Sequence, residues 1–251
     1  MKSIAAALLA PSMLATLASA GLYTVTITGE VEYNQINTGV LDPITAGAPV
    51  TITFTVDSAA FVNSANFPTR GYVVDKPSFT FKAGNVTVPL KNPFPAGTTP
   101  YFTIRNNDPQ VDGFFLGTDF EYGYTGVPLN SNGIFGPFAA AFAVSYAGNT
   151  LSSLNIEDAV GSYDYTGLGS FYLAVQDGSF DAMGLLFTGM TIAPVAAPCP
   201  ADLNGDGEVN GADLGILLAA WGGGGAADIN GSGTVDGADL GILLAAWGSC
   251  G

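Results

Sequence analysis

Histidine is absent from this 251-residue chain, and basic residues are scarce: six Lys or Arg stand against 21 Asp or Glu, a formal net charge of −15. Without histidine there is no Ser-His-Asp or Cys-His catalysis, no imidazole metal site and no histidine pH switch. The last base is Arg105, so the remaining 146 residues carry no positive side chain. Nucleic-acid binding needs bases that face phosphates, and an anionic membrane surface asks for the same, so both partners are excluded. Charged residues make up 11% of the chain, against an average of about 25%. Gly and Pro, at 34 and 15 residues, stay below the roughly 25–30% that marks disorder. A hydrophobic content of 48% is enough for a real core, and the length allows one large domain or two smaller ones.

The N-terminus reads as a secretory leader, residues 1–20. Lys2 gives a short positive region, residues 4–17 are mostly Ala, Leu and Met, and Ala18-Ser19-Ala20 is an A-x-A cleavage site before Gly21. The alternative, a membrane anchor, conflicts with the short length and with Pro11. Cleavage would remove Lys2 and leave five basic against 21 acidic side chains, −16. The expected location is secreted, extracellular or at the cell surface.

Residues 21–192 read as strand after strand. Tyr23, Val25 and Ile27 alternate with Thr24, Thr26 and Thr28; Val50, Ile52, Phe54 and Val56 alternate with Thr51, Thr53 and Thr55. Period two places one set on a core face and the Thr set toward solvent, and β-branched residues suit a pleated surface. Phe79 and Phe81, then Val86 and Val88, flank Ala83-Gly84-Asn85, which reads as a hairpin turn. Asp112-Gly113 and Asp177-Gly178 are turn dipeptides. The stretch from Phe138 to Tyr146 allows a helix by its Ala content and a strand by its alternation. Short strands broken by turn signals, with no long helical period, predict an all-β domain, an antiparallel β-sandwich or jelly-roll-like fold.

Candidate chemistry on this domain is sparse. Residues 119–136, rich in Gly, Asn and Tyr, predict a long loop, whose Tyr122 and Tyr124 are either glycan contacts or ordinary turn and core aromatics. Glycoside hydrolysis needs two carboxylates. Glu30, Glu32, Glu121, Glu157 and several Asp residues are available for it, but no hydrolase signature surrounds any of them, so no catalytic residue is assigned.

The C-terminus is richer in information. A short Ala/Pro linker, residues 193–198, precedes an internal repeat with a period of 26 residues. Residues 202–222 read DLNGDGEVNGADLGILLAAWG and residues 228–248 read DINGSGTVDGADLGILLAAWG. Each opens on a twelve-residue calcium-loop pattern, in which side chains at positions 1, 3, 5 and 12 reach the ion, position 7 offers a carbonyl, position 9 acts through water, and Gly at 6 allows the turn. The first loop places Asp202, Asn204, Asp206, Glu208, Asn210 and Asp213 at 1, 3, 5, 7, 9 and 12. The second places Asp228, Asn230, Ser232, Thr234, Asp236 and Asp239 there. These oxygen donors, with no Cys or His inside the loops, argue for a hard cation, and two ions would bring the charge from −16 to −12. The neutral Ser232 predicts a weaker second site. After each loop, Leu214, Leu217, Leu218 and Trp221, and again Leu240, Leu243, Leu244 and Trp247, fall at i, i+3, i+4 and i+7 of an amphipathic helix. Such short helices are marginal alone, so the two apolar faces are expected to pack on each other.

No apolar helix precedes either loop, which makes them half EF-hands. The D-x-N-x-[DS]-G-x-V-[ND]-x-x-D-L pair resembles a type I-like dockerin module, here residues 199–251. The resemblance implies a small calcium-dependent module on a secreted bacterial protein that binds a cohesin. It also implies a carbohydrate-active enzyme, a glycoside hydrolase of polysaccharide degradation, as the alternative to a structural, adhesive or glycan-binding β domain. Dockerins usually carry Ser or Thr at loop positions 10 and 11 and bases on the helices. Here those positions are Gly211-Ala212 and Gly237-Ala238, and the helices have no base. The tail is in this respect similar to Cys-framed, dockerin-like anchor domains of bacterial surface proteins, which implies a surface-anchoring partner. The two cysteines, Cys199 and Cys250, bracket the module. An even count in an exported protein points to a disulfide; lipid attachment or processing at Cys250 is the alternative.

Overall fold

The computed structural model describes residues 21–107, 111–122, 125–195 and 199–250. The expected leader, Tyr124 and linker residues 196–198 lie outside the described residues. The chain divides into two compact units between Pro194 and Val195. No helix among the described residues is long and apolar enough to cross a membrane.

The first unit is antiparallel β-structure. Its strands are β1 (Leu22–Asn34), β2 (Pro49–Asn63), β3 (Thr69–Val74), β4 (Thr80–Ala83), β5 (Val86–Val88), β6 (Tyr101–Arg105), β7 (Val111–Gly117), β8 (Val127–Asn132), β9 (Pro137–Ala147), β10 (Gly161–Tyr163), β11 (Leu168–Asp177) and β12 (Phe180–Pro194). The ladder runs β1-β12-β11-β9-β7-β6-β3-β2, and β2 pairs with β1 again, so the ring of hydrogen bonds closes. The long strands change partner partway. β2 meets β4 through Val50–Thr53 and then β3 through Val56–Asn63. β12 meets β11 near its start and β10 near its end. Such hand-overs let a strand pass from one layer of a sandwich to the other, and full closure leaves few exposed edges.

The alternation read from the sequence sets the faces. Val25, Ile27, Val50, Ile52, Phe54 and Val56 are buried, while the Thr residues between them are only half-buried. A run of rings fills the interior: Phe54 to Phe102 at 5.5 Å, Phe102 to Phe114 at 5.8 Å, and Phe142 to Phe187 at 5.9 Å between centroids. Such pairs add to the burial of 150–250 Å² that each aromatic brings. The stretch around Phe138 to Tyr146 is strand β9, since its outward edges find partners in β7 and β11.

Two expectations are corrected. The region 119–136 is not loop throughout: β8 lies inside it, paired with β9. Val127-Pro128-Leu129 is too short a pattern to be recognised alone, and the neighbouring strand selects it. Asp112-Gly113 is not a turn but part of β7. The Asp112 carboxylate is buried there and accepts the Leu151 N–H at 2.6 Å and the Asn107 N–H at 2.8 Å. A buried carboxylate satisfied by two backbone donors is tolerable, and this one ties two connections to the strand.

The second unit contains β13 (Glu208–Val209), α1 (Gly211–Ala219), α2 (Gly237–Ala245) and β14 (Gly248–Ser249). Its core is Ala201, Val209, Leu217, Ala227, Val235 and Leu243, with Leu203, Leu214, Ile229 and Leu240 packed against it.

Candidate metal centre and docking module

Each repeat folds as loop, short extended step, helix. In the first loop the Asp202 carboxylate gathers the chain about itself: Oδ1 accepts from Gly205 N at 2.8 Å and Asp206 N at 3.2 Å, and Oδ2 from Gly207 N at 2.9 Å. Asn204 Oδ1 accepts from Asp206 N at 2.9 Å, and the Asn204 amide donates to Asp206 Oδ2 at 2.8 Å. The second loop repeats the design. Asp228 accepts from Ser232 N at 2.9 Å and Gly233 N at 2.6 Å, and Asn230 Oδ1 accepts from Ser232 N at 2.9 Å. Positions 1, 3 and 5 are therefore brought together in both loops.

The last loop position is buried. Asp213 accepts from Leu203 N at 2.8 Å, Asn204 N at 3.2 Å and Asn210 N at 2.9 Å. Asp239 accepts from Asn230 N at 3.0 Å and Asp236 N at 2.8 Å. Both side chains are fully buried. The N–H of Asn210 holds the Asp213 carboxyl below its ordinary pKa, and that of Asp236 does the same for Asp239, because these bonds favour the charged form. Position 9 has a structural duty as well: Asn210 and Asp236 are N-caps, each accepting from the N–H two residues on at 2.8 Å, and each pairs with the buried Asp in a capping box. Glu208 and Thr234, at position 7, are exposed.

The donor set suits a hard cation. Every side chain at these positions offers oxygen, and a carboxylate has about four lone-pair sites, more than the N–H bonds on each of these occupy. Among the described residues, no three Asp, Glu, Cys or His side chains close on one point. The loop carboxylates instead face backbone N–H groups, and in the second loop the neutral Ser232 donates to the Thr234 carbonyl at 3.2 Å.

The two repeats are exchanged at their edges. Val209 of the first loop pairs with Gly248 after α2, and Cys250 N–H donates to the Gly207 carbonyl at 3.0 Å. Val235 of the second loop exchanges bonds with Gly222 and Gly223 after α1, at 2.9 and 2.6 Å. Each loop is thus laid against the end of the other repeat's helix. A disulfide joins Cys199 to Cys250, with Cα atoms 5.7 Å apart. It closes a separation of 51 residues, worth about 4 kcal/mol in the chain-entropy account.

The helix faces differ from the expectation. Leu214, Leu217, Leu240 and Leu243 turn inward, but Leu218 and Leu244 are each 52% exposed and Trp221 and Trp247 each 50% exposed. The small core is filled by Val209 and Val235 from the loops, and both tryptophans lie beyond the last helical residue, so the stripe does not reach them. Ile216 and Ile242 are exposed too. Each repeat therefore presents Ile, Leu and Trp outward from a helix whose acidic residue is buried.

On the β unit, Tyr122 is exposed, and Tyr124 lies outside the described residues. Glu30 and Glu32 are exposed on β1, and Glu121 accepts from the Ser64 hydroxyl at 2.5 Å. Glu157 lines an open cleft of about 470 Å³ with Asp158, Ser58, Phe61, Arg70 and Asn155. Its two carboxylates are consecutive on one turn, and Asp158 is tied to Ser153 at 2.7 Å. Glycoside hydrolysis calls for carboxyls on either side of the bond. Sequence reading missed this cleft, which assembles from segments about 90 residues apart, and it missed the exposed trio Ile134, Phe135 and Phe180. The apolar pair between Gly133 and Gly136 was the available signal for that trio.

No curated protein and no solved structure matches the chain. Residues 200–246 match the family model described as the dockerin type I domain. Dockerin domains bind Ca²⁺ in general, occur in extracellular or cell-surface proteins, and imply a cohesin partner. The twin loop–helix units, exchanged at their edges and clasped by Cys199 and Cys250, together with that match, make the C-terminal unit a dockerin-like module on a β domain whose family is not identified.

Proposed function

We propose that the chain is an exported β-sandwich protein that its dockerin-like module attaches to a cohesin-like or surface-anchoring protein. The observation that carries this reading is the duplicated, uncharged helix face: Ile216, Leu218 and Trp221 in one repeat, Ile242, Leu244 and Trp247 in the other, exposed to nearly equal extents. Exposed apolar patches of this kind mark interaction sites, and Trp is enriched among the residues that dominate them. Two calcium ions hold the loops. Asp202, Asn204, Asp206, the Glu208 carbonyl, Asn210 through water and Asp213 are the residues for one. Asp228, Asn230, Ser232, the Thr234 carbonyl, Asp236 through water and Asp239 are those for the other. Calcium supplies a positive centre that offsets the packed carboxylates and fixes each helix entry. The β unit has a binding role, adhesive or glycan-directed, rather than a catalytic one.

Retention of the full chain on immobilised cohesin domains tests the attachment. Retention in calcium that is released by a chelator is the expected result. A protein that no cohesin or cell-surface fraction retains in calcium would sink the reading.

A further inference from the structure

The turns that join β8 to β9 and β11 to β12 lie side by side. Asp177, the last residue of β11 and only 8% exposed, ties them together. Its Oδ2 accepts the Ile134 N–H at 2.7 Å and its Oδ1 accepts the Phe135 N–H at 2.9 Å. The approach is close: a Cβ on Gly133 would lie 2.4 Å from the Asp177 carboxyl carbon. The first turn is closed further by Gly133 N–H donating to the Gly136 carbonyl at 2.8 Å.

What this frame holds outward is apolar. Ile134 is 79% exposed, Phe135 65% and Phe180 64%. The two rings lie 5.7 Å apart, tilted by 32°. A buried carboxylate whose bonds hold Ile134 and Phe135 out to water, with Phe180 against the Phe135 ring, does nothing for the core, so the tip asks for a ligand. Its size limits the choice. At these exposures the three side chains offer on the order of 400 Å², about half of the ~800 Å² per partner that a stable protein interface takes. A second copy or a folded protein is therefore a poor occupant. Beside the tip lies a small cavity of about 80 Å³, lined by Gln35, Asn37 and Thr38 together with Ile134 and Asp177. Uncharged amides and a hydroxyl match the hydroxyls of a neutral ligand, and the one carboxylate present is already held by backbone donors.

We propose that this tip is a stacking platform for a neutral polysaccharide. Phe135 and Phe180 cover the C–H faces of sugar units, Ile134 extends the apolar surface, and Gln35, Asn37 and Thr38 bind hydroxyls. The proposal rests on the reading of the β unit as a binding domain and names its ligand class and its site.

The test is affinity electrophoresis of the full chain through gels containing hydroxyethyl cellulose, xylan or galactomannan. Retardation in at least one gel is expected. F135A/F180A should weaken it by about tenfold or more while leaving the thermal transition of the β unit in place, because both rings are exposed. D177A, which frees the two turns, should weaken it less, and Y122A not at all. Retardation that survives F135A/F180A would overturn the platform and leave glycan binding by another surface. Absence of retardation in all three gels would overturn both the platform and the glycan-directed reading. Self-association that F135A/F180A abolishes would give the tip to a second copy and overturn the proposal.

Discussion

The β unit and the C-terminal module draw on the same apolar residue types but bury them differently. In the β unit, strands closed into a ring enclose Phe54, Phe102, Phe114, Phe142 and Phe187 in one buried cluster. Hydrophobic burial on that scale sustains a fold without help. Among the described residues of the module, Ala201, Val209, Leu217, Ala227, Val235 and Leu243 form the buried apolar cluster, and the larger Trp221 and Trp247 stay half exposed. A core this small needs staples. Here they are a disulfide between the module's two ends and loop carboxylates that organise backbone N–H groups and are proposed to hold calcium. One unit is stabilised by area, the other by cross-links, so conditions that remove one kind of support should leave the other unit standing.

The strongest test of this contrast is chelation combined with reduction. Calorimetry of the full chain should show two transitions, and EDTA with a reductant should abolish the module's transition while the β unit's stays in place. A module transition that survives both treatments would break the comparison. A core cavity should do the converse. Phe102 is fully buried between Phe54 and Phe114, so Phe102→Ala should cost the β unit about 3–5 kcal/mol. Calcium titration of that variant should remain unchanged.

Alkaline pH separates the units by composition. Burial pushes the Tyr146 and Tyr163 hydroxyls up to about 12, with Asp164 adding to the first and Asp112 to the second. A folded pKa above the unfolded value near 10 means that this stability is present below pH 10 and is lost as pH rises toward 12. Residues 199–251 contain no Tyr. The β transition should therefore fall over that window in a pH series of melting curves, while the module should not follow it through tyrosine ionisation. The smallest expected effect lies inside the module. Ser232 stands where the first loop has Asp206, and calcium affinity follows ligand charge. Isothermal titration should resolve a tighter and a weaker site, and Ser232→Asp should bring them within about tenfold of each other. Two equal sites in the unsubstituted protein would remove the asymmetry between the loops.

Much of the β architecture was legible because alternation and burial report the same thing. Val25 and Ile27, or Val50 to Val56, need no partner to reveal which side faces inward. The hairpin around Gly84 was legible too: β4 and β5 are joined by Gly84-Asn85, and Gly84 has φ 55°, a conformation that glycine adopts without strain. Asp112 was misread because a turn dipeptide and a buried strand carboxylate look alike until the acceptor's partners, Asn107 and Leu151, are in place. β8 was missed because its pairing with β9 matters more than its own propensity. At the module, the side chains proposed as donors were picked out by spacing alone. The capping duty of Asn210 and Asp236 and the burial of Asp213 and Asp239 came from the helix starting where the loop ends. The outward turn of Leu218, Trp221, Leu244 and Trp247 was hidden, because a helical period gives relative direction and not the size of the core available.

By itself the sequence determined what repeats locally: the strand alternation, the oxygen donors at loop spacing, the twofold duplication, and the absence of imidazole and of bases beyond Arg105. These are carried by residue type and short-range spacing, so they survive without knowledge of distant neighbours. Tertiary structure alone decided what depends on distant segments meeting. It closed β1 onto β2 and β12, laid each loop against the other repeat's helix end, and locked two turns through Asp177 so that Phe135 and Phe180 stand in solvent. Those outcomes turn on which surfaces remain uncovered once the core is full, a property of the packed chain rather than of any window within it.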